Sequence, residues 1–109
     1  MKRGYNNLVE KYEKAGCDDL QLRNAEDIKK ILKIDVEAIR GYDTLRIAQG
    51  MFKNFMVNFL NNFGIQDRAT IKPISVCIVK EGNSSYIRFD YMKGKYRNWL
   101  HVKGSNKFY

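Results

Sequence analysis

Five basic residues, Lys93, Lys95, Arg97, Lys103 and Lys107, lie between positions 93 and 107 with no acid among them. Tyr91, Tyr96, Trp99, Phe108 and Tyr109 interleave with them or flank them. Cations set among aromatic rings suit a phosphodiester chain: the cations displace its condensed counterions, and the rings offer faces on which bases stack. The charge is regional. Residues 65–109 carry nine Lys/Arg against three Asp/Glu, residues 1–64 eleven against nine, and the formal net charge is +8. Three quarters of the excess therefore falls in the second half of the chain, where a positive field draws in polyanions.

Other chemistries find few residues to carry them. His101 is the only histidine and neighbours no nucleophile or acid in a triad-like order, so it reads as a surface or strand residue. Cys17 and Cys77 are far apart and belong to no Cys/His cluster of zinc-ligand spacing. Cys77 sits in an apolar run and reads as a buried small hydrophobe. Asp18-Asp19 falls in a loop and Glu26-Asp27 at a helix start. Gly82 and Gly94 are isolated turn residues, not a phosphate-binding loop. No catalytic residue, metal or cofactor is expected.

At 109 residues with 44% hydrophobic content, one domain with one core is expected. The N-terminal residues include no apolar run of the signal-peptide type, and nothing approaches a membrane span, so a cytoplasmic protein without membrane contact is expected. Lys, Ile and Asn together make up 33 residues, a bias that points to AT-rich coding DNA, as in low-GC bacteria, their phages and plasmids.

The elements that must position these residues read as follows. Leu8, Val9, Tyr12 and Ala15 form a helical stripe over 7–15 that Gly16 ends. Leu20–Arg23 alternates as a short extended piece. Asn24 caps a helix over 25–32 that buries Ile28, Ile31 and Leu32, and Asp35 caps another over 36–40 with Val36 and Ile39 inward. A long helix over 44–63, with Asp43 as cap and Gly64 as stop, is apolar over most of its circumference. It is either the central core helix or shares its apolar surface with a second copy of the chain as a homodimer. Three antiparallel strands follow at 70–80, 85–92 and 96–103. Ile74, Val76 and Ile78 share one face. Ile87, Phe89 and Tyr91 oppose Tyr86, Arg88 and Asp90. Arg97, Trp99, His101 and Lys103 stand together. The expected fold class is α+β: N-terminal helices, one long buried helix, then a three-stranded antiparallel β-meander.

Residues 24–42, with Asn24 at the cap, Ile28, Ile31 and Leu32 at the core, Ile34-Asp35 at the turn and Ile39-Arg40 in the second helix, resemble the helix-turn-helix of bacterial DNA-binding proteins of mobile elements. The later hairpin fits the winged version. Lys33 stands where that pattern has its turn glycine, and Glu37 lies in the second helix. The resemblance implies a non-catalytic protein that grips duplex DNA, with the second helix (Lys33, Glu37, Arg40) or the hairpin tips reaching base edges. The basic hairpin would neutralise phosphates. The nucleic-acid-binding candidates are Lys33, Arg40, Lys72, Arg88, Lys93, Lys95, Tyr96, Arg97, Trp99, Lys103 and Lys107. Two further readings stay open. One is single-stranded nucleic acid stacked on the sheet, which requires Trp99 and Tyr96 exposed. The other is a protein-interaction module that uses the apolar helix or the aromatic sheet.

Overall fold

The computed structural model describes residues 2–109, with side chains described from Asn7 onward. Helical and turn segments occupy the first part of the chain and a four-stranded antiparallel sheet the second, in the order β1 (Ile71–Glu81), β2 (Ser84–Lys93), β3 (Tyr96–Gly104), β4 (Lys107–Phe108). The expected three-strand meander is present, its strands joined by two-residue turns, and a two-residue fourth strand extends it. Among the described residues no helix is long and apolar enough to cross a membrane.

Helix α1 (Lys2–Lys14) begins earlier than its apolar stripe suggests. It ends in a Schellman motif: Cys17 N–H donates to Tyr12 O at 2.8 Å and Gly16 N–H to Glu13 O at 2.9 Å. Asn24 caps α2 (Ala25–Asp27) as expected, its side chain accepting from Asp27 N–H, and the chain continues through a π-helical turn, Ile28–Leu32. Asn61 on α3 (Gln49–Asn61) replaces a strand partner for the segment before α2. Its side-chain amide accepts from Leu22 N–H at 2.9 Å and donates to Leu22 O at 2.8 Å.

The long helix is shorter than its apolar run. Residues Tyr42–Ala48 are 3-10 turns broken at Arg46 (φ 54°), and α3 starts only at Gln49. Asp43 therefore caps nothing in α3, and Ile47, an apolar position of the 44–63 run, is fully exposed. Gly64 does not stop α3; it precedes the short helix α4 (Ile65–Arg68) in extended conformation. The apolar circumference of α3 is explained within one chain. Phe52, Phe55, Met56, Val57, Phe59 and Leu60 are all buried against neighbouring elements and the inner face of the sheet. Phe89 stacks edge-on to Phe52, Phe55 and Phe59 at 5.6–5.8 Å between centroids, and Phe108 of β4 meets Phe55 at 5.0 Å. A self-association surface on this helix would have to be sought outside those residues.

Buried Arg68 joins α1, α4 and the loop between α1 and α2. Its guanidinium donates to Phe63 O, Leu20 O and Tyr12 Oη at 2.7–3.0 Å, so carbonyl and hydroxyl dipoles replace water around the charge. Burial pushes the Tyr12 hydroxyl pKa up, and Arg68 opposes that shift.

The expected second helix of the helix-turn-helix is not a helix. Asp35 does accept from Glu37 N–H, but only the single 3-10 turn Val36–Ala38 follows. Ile39 is extended, and Arg40 O accepts from Val76 N–H at 2.9 Å, pinning the chain to β1 as an isolated parallel bridge. Two β-branched residues within five, next to a strand edge with free donors, favour that bridge over one more turn of helix. Gly41 completes it with φ +91°, and a Cβ there would lie 1.9 Å from Val76 O. Gly41→Ala should therefore cost at least ~2 kcal/mol in chemical denaturation. Gly50→Ala, which meets open space within α3, should gain up to ~1 kcal/mol. Equal effects of the two substitutions would contradict the tight approach at Gly41.

Candidate nucleic-acid interface

Helices cover only one face of the sheet. Strand alternation sends Ile87, Phe89 and Tyr91 inward, and their neighbours Arg88 and Asp90 to the opposite face. Register then fixes the rows of the open face. Lys72, Met92 and Arg97 lie side by side, then Ser75, Asp90 and Trp99, then Cys77, Arg88 and His101. Tyr109 extends the third row by exchanging both backbone hydrogen bonds with His101, at 2.8 and 3.0 Å. Cys77 is thus exposed, not buried as its apolar surroundings suggested. Of the expected face Ile74, Val76 and Ile78, only Val76 is core: the bulge between Pro73 and Ser75 takes Ile74 out of register, and Ile78 is 42% exposed.

The rings of the open face touch. His101 is the hub: its centroid lies 4.4 Å from Tyr86, 4.7 Å from Trp99 and 4.8 Å from Tyr109, nearly parallel to the last. The Arg88 guanidinium lies over Trp99 at 4.2 Å. Trp99 still keeps 42% of its surface exposed, and Tyr109 is exposed at the outer end of the stack.

One acid organises the cations. Asp90, only 5% exposed, accepts from Arg88 Nε at 2.8 Å and Nη2 at 3.3 Å, and from Arg97 Nη2 at 3.1 Å. Arg88 therefore holds the Asp90 carboxyl below the usual carboxylate range, with help from Arg97 and against the upward push of burial. Asp27 is lowered in the same way by Arg23, which also ties it to the loop after α1 through Ala15 O and Gly16 O.

The predicted site residues fall into three groups. Lys72, Arg88, Arg97, Trp99 and Lys103 share the open face, and Lys107 is exposed on β4. Lys95 is exposed at the β2–β3 turn. Tyr96 is 68% exposed but pairs with Lys93 toward the helix side, where Lys93 Nζ sits 5.9 Å from the Phe63 ring. Lys33 and Arg40 lie beyond the outer edge of β1, in a cleft that Lys72 also lines. Glu37 turns away to an ion pair with Lys53. Sequence reasoning grouped His101 with Trp99 but gave it no role, and it missed Tyr86 and Tyr109 as partners in the same cluster. Alternation from Trp99 and Arg88 indicates His101 and Tyr86; the Tyr109 contact depends on a fourth strand too short to show periodicity.

Among the described residues no group of acids, cysteines and histidine is placed to hold a metal. No protein-family model matches the chain, and no curated protein and no solved structure resembles it.

Asp27 and Asp90 both stabilise the fold in their ionised form. Each contributes stability that is full above the unfolded carboxylate value of about 3.9 and is lost as pH falls through its lower folded value. Unfolding followed from pH 6 to 2 should show stability falling below about pH 4, with a shallower fall in Asp90→Asn. In an NMR titration Asp90 should protonate below a free aspartate, and Arg88→Gln should raise its midpoint. An Asp90 midpoint at or above the free value would contradict the arrangement.

Proposed function

We propose that this chain is a non-catalytic nucleic-acid-binding domain that holds a single strand across its uncovered sheet face. One observation carries the reading. Lys72, Arg88, Arg97 and Lys103 surround a contiguous cluster of Trp99, His101 and Tyr109 on the sheet face away from the helices, with Asp90 among them and Glu81 at the far end of β1. The cations neutralise phosphates, and the exposed rings stack with bases of any sequence. Trp99 is exposed on that face, as the single-strand reading requires; Tyr96 is exposed as well, but toward the helix side. The winged-helix reading for duplex DNA keeps its basic hairpin tip at Lys95 but loses the helix at 36–40 that would enter a groove.

A second reading, docking to another protein, has Ile47 in its favour: a fully exposed branched apolar side chain beside the break at Arg46. It has no comparable concentration of features.

Fluorescence anisotropy with oligo(dT) and with random duplex across a salt series tests the proposal. The single strand should bind at micromolar Kd or tighter and more strongly than duplex, with a negative salt slope. Trp99→Ala should weaken single-strand binding by about tenfold or more with little change in slope, since a stacked base contributes roughly 1–3 kcal/mol. Lys103→Gln should flatten the slope by about 0.7. Tighter duplex binding insensitive to Trp99 would favour the hairpin grip, and no binding at low salt would leave the docking reading.

A further inference from the structure

Beyond the outer edge of β1, a cleft of about 540 Å³ lies between residues 32–40 and the start of the strand. Leu32, Pro73 and Ile74 give it an apolar lining, and Lys33, Arg40 and Lys72 give it three exposed cations. None of the three is in an ion pair among the described residues. The one acid in the lining, Asp35, has its carboxylate 3.5 Å from Lys29 Nζ. An apolar lining with unopposed cations suits a ligand that is flat and apolar in one part and multiply anionic in another, which describes a nucleotide.

The cleft also continues the open face. Lys72 belongs to both: it stands beside Met92 in the row that ends at Arg97, and it lines the cleft. A cationic path therefore runs from β3 across β2 and over the edge of β1 to Lys33 and Arg40. Lys33 itself occupies the left-handed conformation (φ 61°, ψ 31°), as Leu20 and Arg46 also take positive φ.

We propose that the cleft receives a nucleotide of the strand held on the open face, its base and sugar against the apolar lining and its phosphates at Lys33, Arg40 and Lys72. This rests on the reading of the open face as a single-strand platform. A free mononucleotide has the same chemistry, so the test includes one.

The double variant Lys33→Asn/Arg40→Gln removes both cations. Asparagine tolerates the left-handed conformation, and Arg40 anchors Val76 through its backbone carbonyl, so the fold is kept, as an unchanged thermal melt would verify. Binding is measured with oligo(dT) of about five and about fifteen nucleotides, within the span of known single-strand sites. The double variant should lose roughly tenfold in affinity for the longer oligomer at ~50 mM salt, with the slope flattened by about 1.4, and should bind the shorter one as before. Equal loss for both lengths, or loss for neither, overturns the proposal. Binding of dTMP that the double variant abolishes, with the longer oligomer unaffected, assigns the cleft to a free nucleotide and also overturns it. Failure of the unaltered protein to bind either oligomer is a different result, and it removes the open-face reading itself.

Discussion

The structure depends on aromatic packing against one side of a sheet. Phe52, Phe55 and Phe59 of α3 meet Phe89, Tyr91 and Phe108 of the strands in edge-to-face contacts. Large rings bury much apolar surface per residue, which lets a chain of this length build a core from a single interface. That choice settles where everything else goes. The remaining helices and turns gather on the same side, held to α3 by the paired amide of Asn61 and to α4 by Arg68. The other side of the sheet is left to solvent, and whatever the strands carry there is available to a partner.

An uncovered sheet face can be a solvated surface of lysines, or it can be organised. Asp90 makes this one organised. Its carboxylate is buried on an otherwise open face and is hydrogen-bonded by two arginines from two strands. One of these guanidiniums is thereby laid against Trp99. Planar groups fixed in this way lose less conformational freedom on meeting a ligand than free lysines would. The acid reduces the net charge of the face and in return fixes its geometry, an exchange that suits recognition of flat bases as well as of phosphates.

Much of this was legible in the sequence, and what was not had specific causes. Strand alternation placed Arg88 opposite Phe89, and grouped Arg97, Trp99, His101 and Lys103, because a period of two leaves little choice once one face is apolar. The caps at Asn24 and Asp35 were legible because a short polar side chain before a helical pattern has one common use. The helix over 36–40 was not, because the backbone of Arg40 is claimed by Val76, a residue 36 positions away. The start of α3 was missed because Leu45 and Ala48 continue the apolar pattern through a backbone break at Arg46 that periodicity does not register. Cys77 was misplaced because its apolar sequence neighbours were weighed above the alternation that puts it on the face opposite Val76. Lys93 and Tyr96 belong to the basic stretch in sequence but to the covered side in space, since neighbours along a strand alternate.

The central claim is that the uncovered face is the nucleic-acid surface. Backbone amide chemical shifts followed by NMR while oligo(dT) is added test it most directly. The largest changes should fall on Arg88, Asp90, Arg97, Trp99, His101 and Tyr109, while the buried residues of α3 and the exposed Ile47 stay near their starting positions. Changes confined to Ile47 and its neighbours or to the β2–β3 turn, with the Trp99 and His101 amides unmoved, would contradict it.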